Sequence, residues 1–305
     1  VKYKQWQVAA PCPEGQGELA QAGLPPLLAG LLAARGVVRP EEARRLLSPG
    51  REPIPDPMLL KDMDRAVRRV RLALDREELI AVYGDYDVDG ITATCLLTQF
   101  LTARDGHIIP YIPSRLGEGY GLNPEAVHAL SEQGVDLIIT VDCGITAVEE
   151  TALANSLGID VVITDHHACK EELPPAAAVV DPHQPGCPYP FKGLAGVGVA
   201  LMLALAVAGP AEAQEVFHRF CDLAAVGTVA DVMPMTGANR AIVSLGLAQL
   251  DPPRRLGFAS LIRCAGLEDK PVTSVSVGYT LAPRINASGR MGMAEVAVEL
   301  FLTQD

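Results

Sequence analysis

Acidic and imidazole side chains recur in this chain where apolar runs stop. Asp85, Asp87 and Asp89 lie in Gly84-Asp85-Tyr86-Asp87-Val88-Asp89-Gly90, directly after Leu79-Ile80-Ala81-Val82-Tyr83. Asp142-Cys143-Gly144 follows Leu137-Ile138-Ile139-Thr140-Val141, and Asp165-His166-His167 follows the run from Ile159 to Thr164. Three carboxylates in one turn repel one another, and burying them unpaired is costly. A divalent cation would offset that repulsion. Taken alone, the first segment also reads as a solvated Asp/Gly turn. An EF-hand loop does not fit: its twelfth position would be Leu96, where a bidentate Glu is required, and a strand leads in.

Aspartate oxygens with imidazole nitrogens suit manganese, while magnesium is less favoured once an imidazole is a ligand. Two ions about 3.5–4 Å apart, bridged by one carboxylate, would bind phosphoryl oxygens and activate water for in-line attack. The chemistry implied is hydrolysis of a phosphate ester or anhydride. Arg115 follows a predicted strand end and precedes a Gly-rich loop, so it can grip phosphate at the same edge. Arg284, Asn286 and Arg290 form a second polar cluster, with local loop hydrogen bonding as the alternative reading. Tyr120 reads equally as a base-stacking or a packing residue.

The elements that must position these groups follow from pattern. Strands are predicted at 78–84, 107–112, 135–141, 159–164 and 177–180, with helices at 91–104, 123–133 and 145–157 between them. Helices alternating with β-rich runs mean βαβ units and a parallel sheet. In such sheets ligands bind beyond the carboxyl ends of the strands, where all three acidic segments fall. Beyond 190 the pattern is mainly helical, at 194–208, 211–226, 238–250 and 254–265, with a β-like run at 271–280 and an unfinished amphipathic helix at 294–305. Residues 1–77 read as a helical N-terminal extension and linker, punctuated by prolines from Pro25 to Pro57.

Composition sets limits. With 305 residues and 49% hydrophobic content, one large or two modest domains with ample core are expected. A net charge of −12 argues against a general basic coat for nucleic acid, though not against a local basic channel. Seven scattered cysteines without a Cys-x-x-Cys pair indicate neither a zinc site nor a disulfide framework, and point to a reducing cytoplasm. No apolar run is long enough to span a bilayer.

The ordered segments Asp85–Gly90, Val141–Gly144 and Asp165–His167 resemble the successive motifs of the DHH phosphoesterase superfamily. Ile112-Pro113-Ser114-Arg115 with Glu118-Gly119-Tyr120-Gly121, Cys187 to Lys192 with Leu194 to Gly198, Ala225 to Pro234, and Ala282 to Met291 narrow the resemblance to the RecJ-type single-strand exonucleases. It implies an α/β fold: a parallel-sheet DHH domain over 78–305 with helices on both faces, the sheet within about 78–182 and a mainly helical part following. It further implies that Asp87 holds one manganese ion and Asp89 the other, and that Asp142 bridges them. His166 and Asp231 would complete the shell of the ion held by Asp89, with Asp85 left between ligation and orientation. His167 is expected to face away from His166 and contact the scissile phosphate, and Arg115, Arg284, Asn286 and Arg290 to contact the backbone.

The activity implied is 5′ to 3′ digestion of single-stranded DNA to mononucleotides in repair and recombination. A monomer working with a single-strand-binding protein or helicase is the implied setting. Alternatives are a phosphodiesterase for short oligonucleotides or cyclic dinucleotides, and a non-catalytic replication scaffold. Two departures stand out. Tyr83 occupies a position where related motifs often place histidine, and neither the DHH-associated domain with its Gly-Gly-His motif nor an OB-fold is seen before Asp305. The expectation is therefore a metal-binding portion that degrades DNA weakly.

Overall fold

The computed structural model describes residues 8–48, 52–113 and 121–305. Ser114, Arg115, Glu118, Gly119 and Tyr120 lie outside the described residues, and with them the expected contacts of Arg115 and Tyr120.

Two compact units are present, Val1–Glu52 and Pro53–Asp305. The first holds α1 (Pro13–Gln21), α2 (Pro26–Ala33) and α3 (Pro40–Leu47), each opening on a proline whose missing N–H costs a helix start nothing. Leu19, Ala29, Leu32, Ala33 and Ala43 form its small core.

The second unit begins earlier than the boundary expected at 77. Helix α4 (Met63–Asp75) buries Met63, Ala66, Val67, Val70 and Ala73 in the same core as the sheet, so it belongs to that domain rather than to a linker. Its sheet comprises β1 (Leu79–Gly84), β2 (His107–Tyr111), β3 (Leu137–Val141), β4 (Asp160–Thr164) and β5 (Ala178–Val180). All pairings are parallel and the order is β2-β1-β3-β4-β5. Period-2 alternation divides the strands between two cores. Ile80, Val82, Leu137, Ile139 and Val162 pack towards α4, α5 (Val88–Thr102) and α8 (Gly196–Ala208). Ala81, Tyr83, Ile138, Val161 and Ile163 pack towards α6 (Pro124–Glu132) and α7 (Val148–Ser156).

The helical part continues with α9 (Ala213–Ala230), α10 (Gly237–Ala248) and α11 (Leu256–Cys264). The predicted β-like run at 271–280 is helical instead. A single turn, α12 (Ser274–Ser276), runs through a π-helical segment (Val277–Leu281) into α13 (Ala282–Arg290), and α14 (Ala294–Leu302) follows. The Ser-Val alternation that suggests a strand is overruled by a reciprocal Thr273–Ser276 capping box that starts a helix. Among the described residues no helix is long and apolar enough to cross a membrane.

Candidate metal centre

The strand order reverses direction between β1 and β3, and the crevice at such a switch point is where open α/β sheets bind ligands. The β1–α5 and β3–α7 loops diverge there, carrying Asp85 and Asp87 on one and Asp142 on the other, with Asp89 in the first turn of α5. Asp87 is the N-cap of α5; its Oδ1 accepts hydrogen bonds from Asp89 N at 2.8 Å and Gly90 N at 3.1 Å. The loop closes so tightly that a Cβ at Gly90 would lie 2.4 Å from the Asp85 carbonyl oxygen. The buried Asp89 carboxylate accepts from Gly196 N at 2.6 Å and Val197 N at 2.9 Å. These donors belong to the first turn of α8, which has no intrahelical acceptors for them and favours negative charge.

Asp142 follows β3 with φ +59°, a left-handed conformation uncommon for a residue with a side chain. Its carboxylate rests on Gly196, where a Cβ would come within 2.6 Å of Asp142 Oδ1. His166 Nε2 lies 3.0 Å from Asp142 Oδ1, 3.7 Å from Asp231 Oδ2 and 3.8 Å from Asp89 Oδ2. Three sets of ligand atoms each fall within 4.8 Å of one another: Asp85/Asp87/Asp142, Asp89/His166/Asp231 and Asp142/His166/His167. Asp142 belongs to two of these sets, as does His166.

His167 does not turn away from its neighbour. The rings of His166 and His167 sit 4.5 Å apart, because Asp165 folds the chain back as it leaves β4. Asp165 Oδ1 accepts from His166 N at 2.7 Å, His167 N at 3.2 Å and His167 Nδ1 at 2.7 Å, while Oδ2 accepts from Ile145 N at 2.9 Å. Sequence reasoning places Asp165 in a motif without giving it this work. A carboxylate at a strand end followed by two histidines is the signal that points to it.

Asp231 is the C-cap of α9 and its carboxylate is half-buried. Val232 N donates to Val229 O at 3.2 Å and Met233 N to Thr228 O at 3.3 Å, a Schellman ending with Val232 in the left-handed position at φ +59°. The negative end of α9 favours a cation beside Asp231.

Electrostatics agree with a site built for cations. Burial, then the charges of Asp87 and Asp231, pushes Asp89 well above the usual carboxylate range. Burial, then Asp89 and Asp87, does the same to Asp142. Asp231 rises to about 6, first through burial and then through Asp87. Burial lowers His166 to about 4, leaving it neutral and able to ligate at neutral pH. His167 rises to about 9 through its hydrogen bond to Asp165. Burial works to raise Asp165, but the His167 hydrogen bond and charge and the Ile145 and His166 N–H groups outweigh it, and its pKa falls. Among the described residues no lysine or arginine is ion-paired with Asp87, Asp89, Asp142 or Asp231. Clustered oxygen donors beside a neutral imidazole, with no such ion pair to compensate them, fit a divalent ion.

The remaining predicted residues divide. Arg284 and Arg290 are exposed on α13, with Arg284 Nη1 donating to Thr280 O at 2.7 Å. Asn286 faces inward, its Oδ1 accepting from Val88 N at 3.1 Å and so tying α13 to the first turn of α5. Tyr83 is buried on the α6 side, its hydroxyl donating to Gly121 O at 2.8 Å and accepting from Asn123 Nδ2 at 3.1 Å. It is a core residue at this position.

Known proteins resemble this chain in sequence and in fold. Residues 79–228 match the DHH family, N-terminal domain, and the chain belongs to that family. Within it, the similarity is to RecJ. The chain is 43% identical over 302 residues to the single-stranded-DNA-specific exonuclease RecJ of Bacillus subtilis (strain 168), covering 99% of this chain and 38% of that protein. It matches the structure of Thermus thermophilus RecJ in complex with Mn2+ at a TM-score of 0.79 and 34% identity, over 98% of this chain and 42% of that one. A second RecJ structure, bound to manganese, matches at a TM-score of 0.72 and 39% identity, over 81% and 62%. The chain thus spans less than two thirds of the length of each of these relatives.

Proposed function

We propose that this chain hydrolyses phosphodiester bonds in single-stranded DNA as a 5′ to 3′ exonuclease of the RecJ type, using two manganese ions. The observation that carries the reading is Asp142, whose carboxylate is shared by two sets of ligand atoms at the switch point. It shares one set with Asp85 and Asp87 and another with His166 and His167, and His166 belongs in turn to the set of Asp89 and Asp231. In this reading Asp87 would hold one ion, Asp89, His166 and Asp231 would hold the second, and Asp142 would serve both. Asp85 supports the first set.

When bound, the ions polarise the phosphoryl oxygens and lower the pKa of the attacking water. The chain supplies the rest. The N–H groups of Gly196 and Val197 hold Asp89 in place, and Asp165 holds the loop of both histidines. His167, protonated at neutral pH through Asp165, presents positive charge to the scissile phosphate, with Arg284 and Arg290 as exposed backbone contacts. Free cysteines accord with a cytoplasmic protein, and a monomer acting with a single-strand-binding protein or helicase in repair and recombination is the setting that the resemblance to RecJ-type exonucleases implies.

The test is digestion of 5′-labelled and 3′-labelled single strands with manganese, without metal, and with duplex DNA as control. Manganese-dependent release of the 5′ label first, from single strands only, is expected. First release of the 3′ label rejects the polarity, and no hydrolysis of any strand rejects the activity.

A further inference from the structure

Resting on the exonuclease reading, we propose that Val232 and Tyr279 form the apolar wall of the nucleotide site beside Asp231, contacting the sugar and base of the single-stranded substrate. The Schellman ending of α9 needs a left-handed residue at 232, and glycine or asparagine supplies that with least strain. A β-branched side chain there is a true outlier. Burial does not compensate, since Val232 is 85% exposed. The strain thus keeps an apolar side chain in solvent next to a proposed metal ligand, and strained backbone of this kind clusters at functional sites.

Tyr279 adds an independent observation. It is 83% exposed and sits in the π-helical segment, a rare geometry that recurs at functional sites. That segment lies against the last turn of α9: a Cβ on Gly278 would be 3.7 Å from Val229 Cγ1. The exposed Tyr279 is thus carried by a segment packed on the last turn of α9, and the exposed Val232 directly follows Asp231 at the end of that helix. Single-stranded nucleic acid offers the matching chemistry, because every base has a face for stacking and every sugar an apolar edge.

The experiment measures binding of a phosphorothioate oligothymidylate by fluorescence anisotropy with manganese present, together with thermal unfolding and the manganese isotherm. Val232→Gly and Val232→Asn are expected to melt a few degrees higher, roughly 2–4 °C, and to bind the strand about tenfold more weakly. Tyr279→Ala loses about tenfold, and Tyr279→Phe regains it because stacking needs no hydroxyl. The manganese isotherm and the slope of affinity against salt stay as in the unmodified chain, since neither a metal ligand nor a phosphate contact is removed. Unchanged strand affinity in Val232→Gly and Tyr279→Ala overturns the inference while leaving the exonuclease reading intact, and assigns the patch to a protein partner. Weakened manganese binding in the Val232 variants also overturns it, by showing an effect through Asp231. An unmodified chain that neither binds nor cleaves the strand overturns both readings.

Discussion

His166 Nε2 lies 3.0 Å from Asp142 Oδ1, and this contact joins the loop after β4 to the loop after β3 at the centre of the carboxylate cluster. Burial holds His166 down to about 4, so at neutral pH the contact is a hydrogen bond between a neutral imidazole and a carboxyl group rather than an ion pair. Asp142→Asn removes the one carboxylate shared by two ligand sets. Manganese stoichiometry by calorimetry should fall, and nuclease activity should drop by more than about a hundredfold. Retained stoichiometry would take Asp142 out of the bridging role.

Manganese affinity should depend steeply on pH. In the metal-free protein Asp89 and Asp142 are raised well above their ordinary range and Asp231 to about 6, so protons must leave as the ion binds. Affinity therefore rises as pH rises through about 6. Calorimetry in two buffers of different ionisation enthalpy should show proton release at pH 6, and a buffer-independent heat would contradict it.

Asp165→Asn should return the His167 pKa from about 9 towards the ordinary 6.5, read by NMR titration of the ring. A raised histidine pKa stabilises the fold fully below pH 6.5, and that contribution fades as pH rises through about 9. Asp165, being lowered, stabilises above its unfolded value, and that contribution is lost as pH falls through its folded one. The pH dependence of the melting temperature above neutrality should flatten in the variant.

Gly196→Ala forces a methyl group to within 2.6 Å of Asp142 Oδ1 and 2.5 Å of its Cβ. Relief requires moving either Asp142 or the first turn of α8, which also holds Asp89. A loss on the order of 1–3 kcal/mol in stability is expected. Weaker manganese binding should accompany it, checked by denaturant unfolding and a binding isotherm.

Asn286→Ala leaves Val88 N without its acceptor and should cost about 1 kcal/mol. It should also weaken manganese binding through the α5 turn that carries Asp87 and Asp89. A change confined to DNA affinity would instead support direct phosphate contact.

The acidic strand ends and the parallel sheet are legible in the chain because period-2 burial and βαβ alternation are local patterns. The segment at 271–280 misleads for the same reason: Ser-Val alternation is local, whereas the turn that buries Val277 and exposes Val275 is set by packing against α9. Asn286 reads as a phosphate contact, and only the fold shows its oxygen turned onto Val88, 198 positions away.

The sequence by itself determined which residue types stand at the strand ends, and so the chemistry they can hold. Tertiary structure alone decided what surrounds each of Asp85, Asp87 and Asp89. Asp87 caps α5, Asp89 is gripped by the start of α8, and Asp85 brings a carboxylate oxygen within 4.8 Å of those of Asp87 and Asp142. The physical reason is that a carboxylate's role depends on which N–H groups, charges and glycine surfaces surround it, and here those come from segments more than a hundred residues apart.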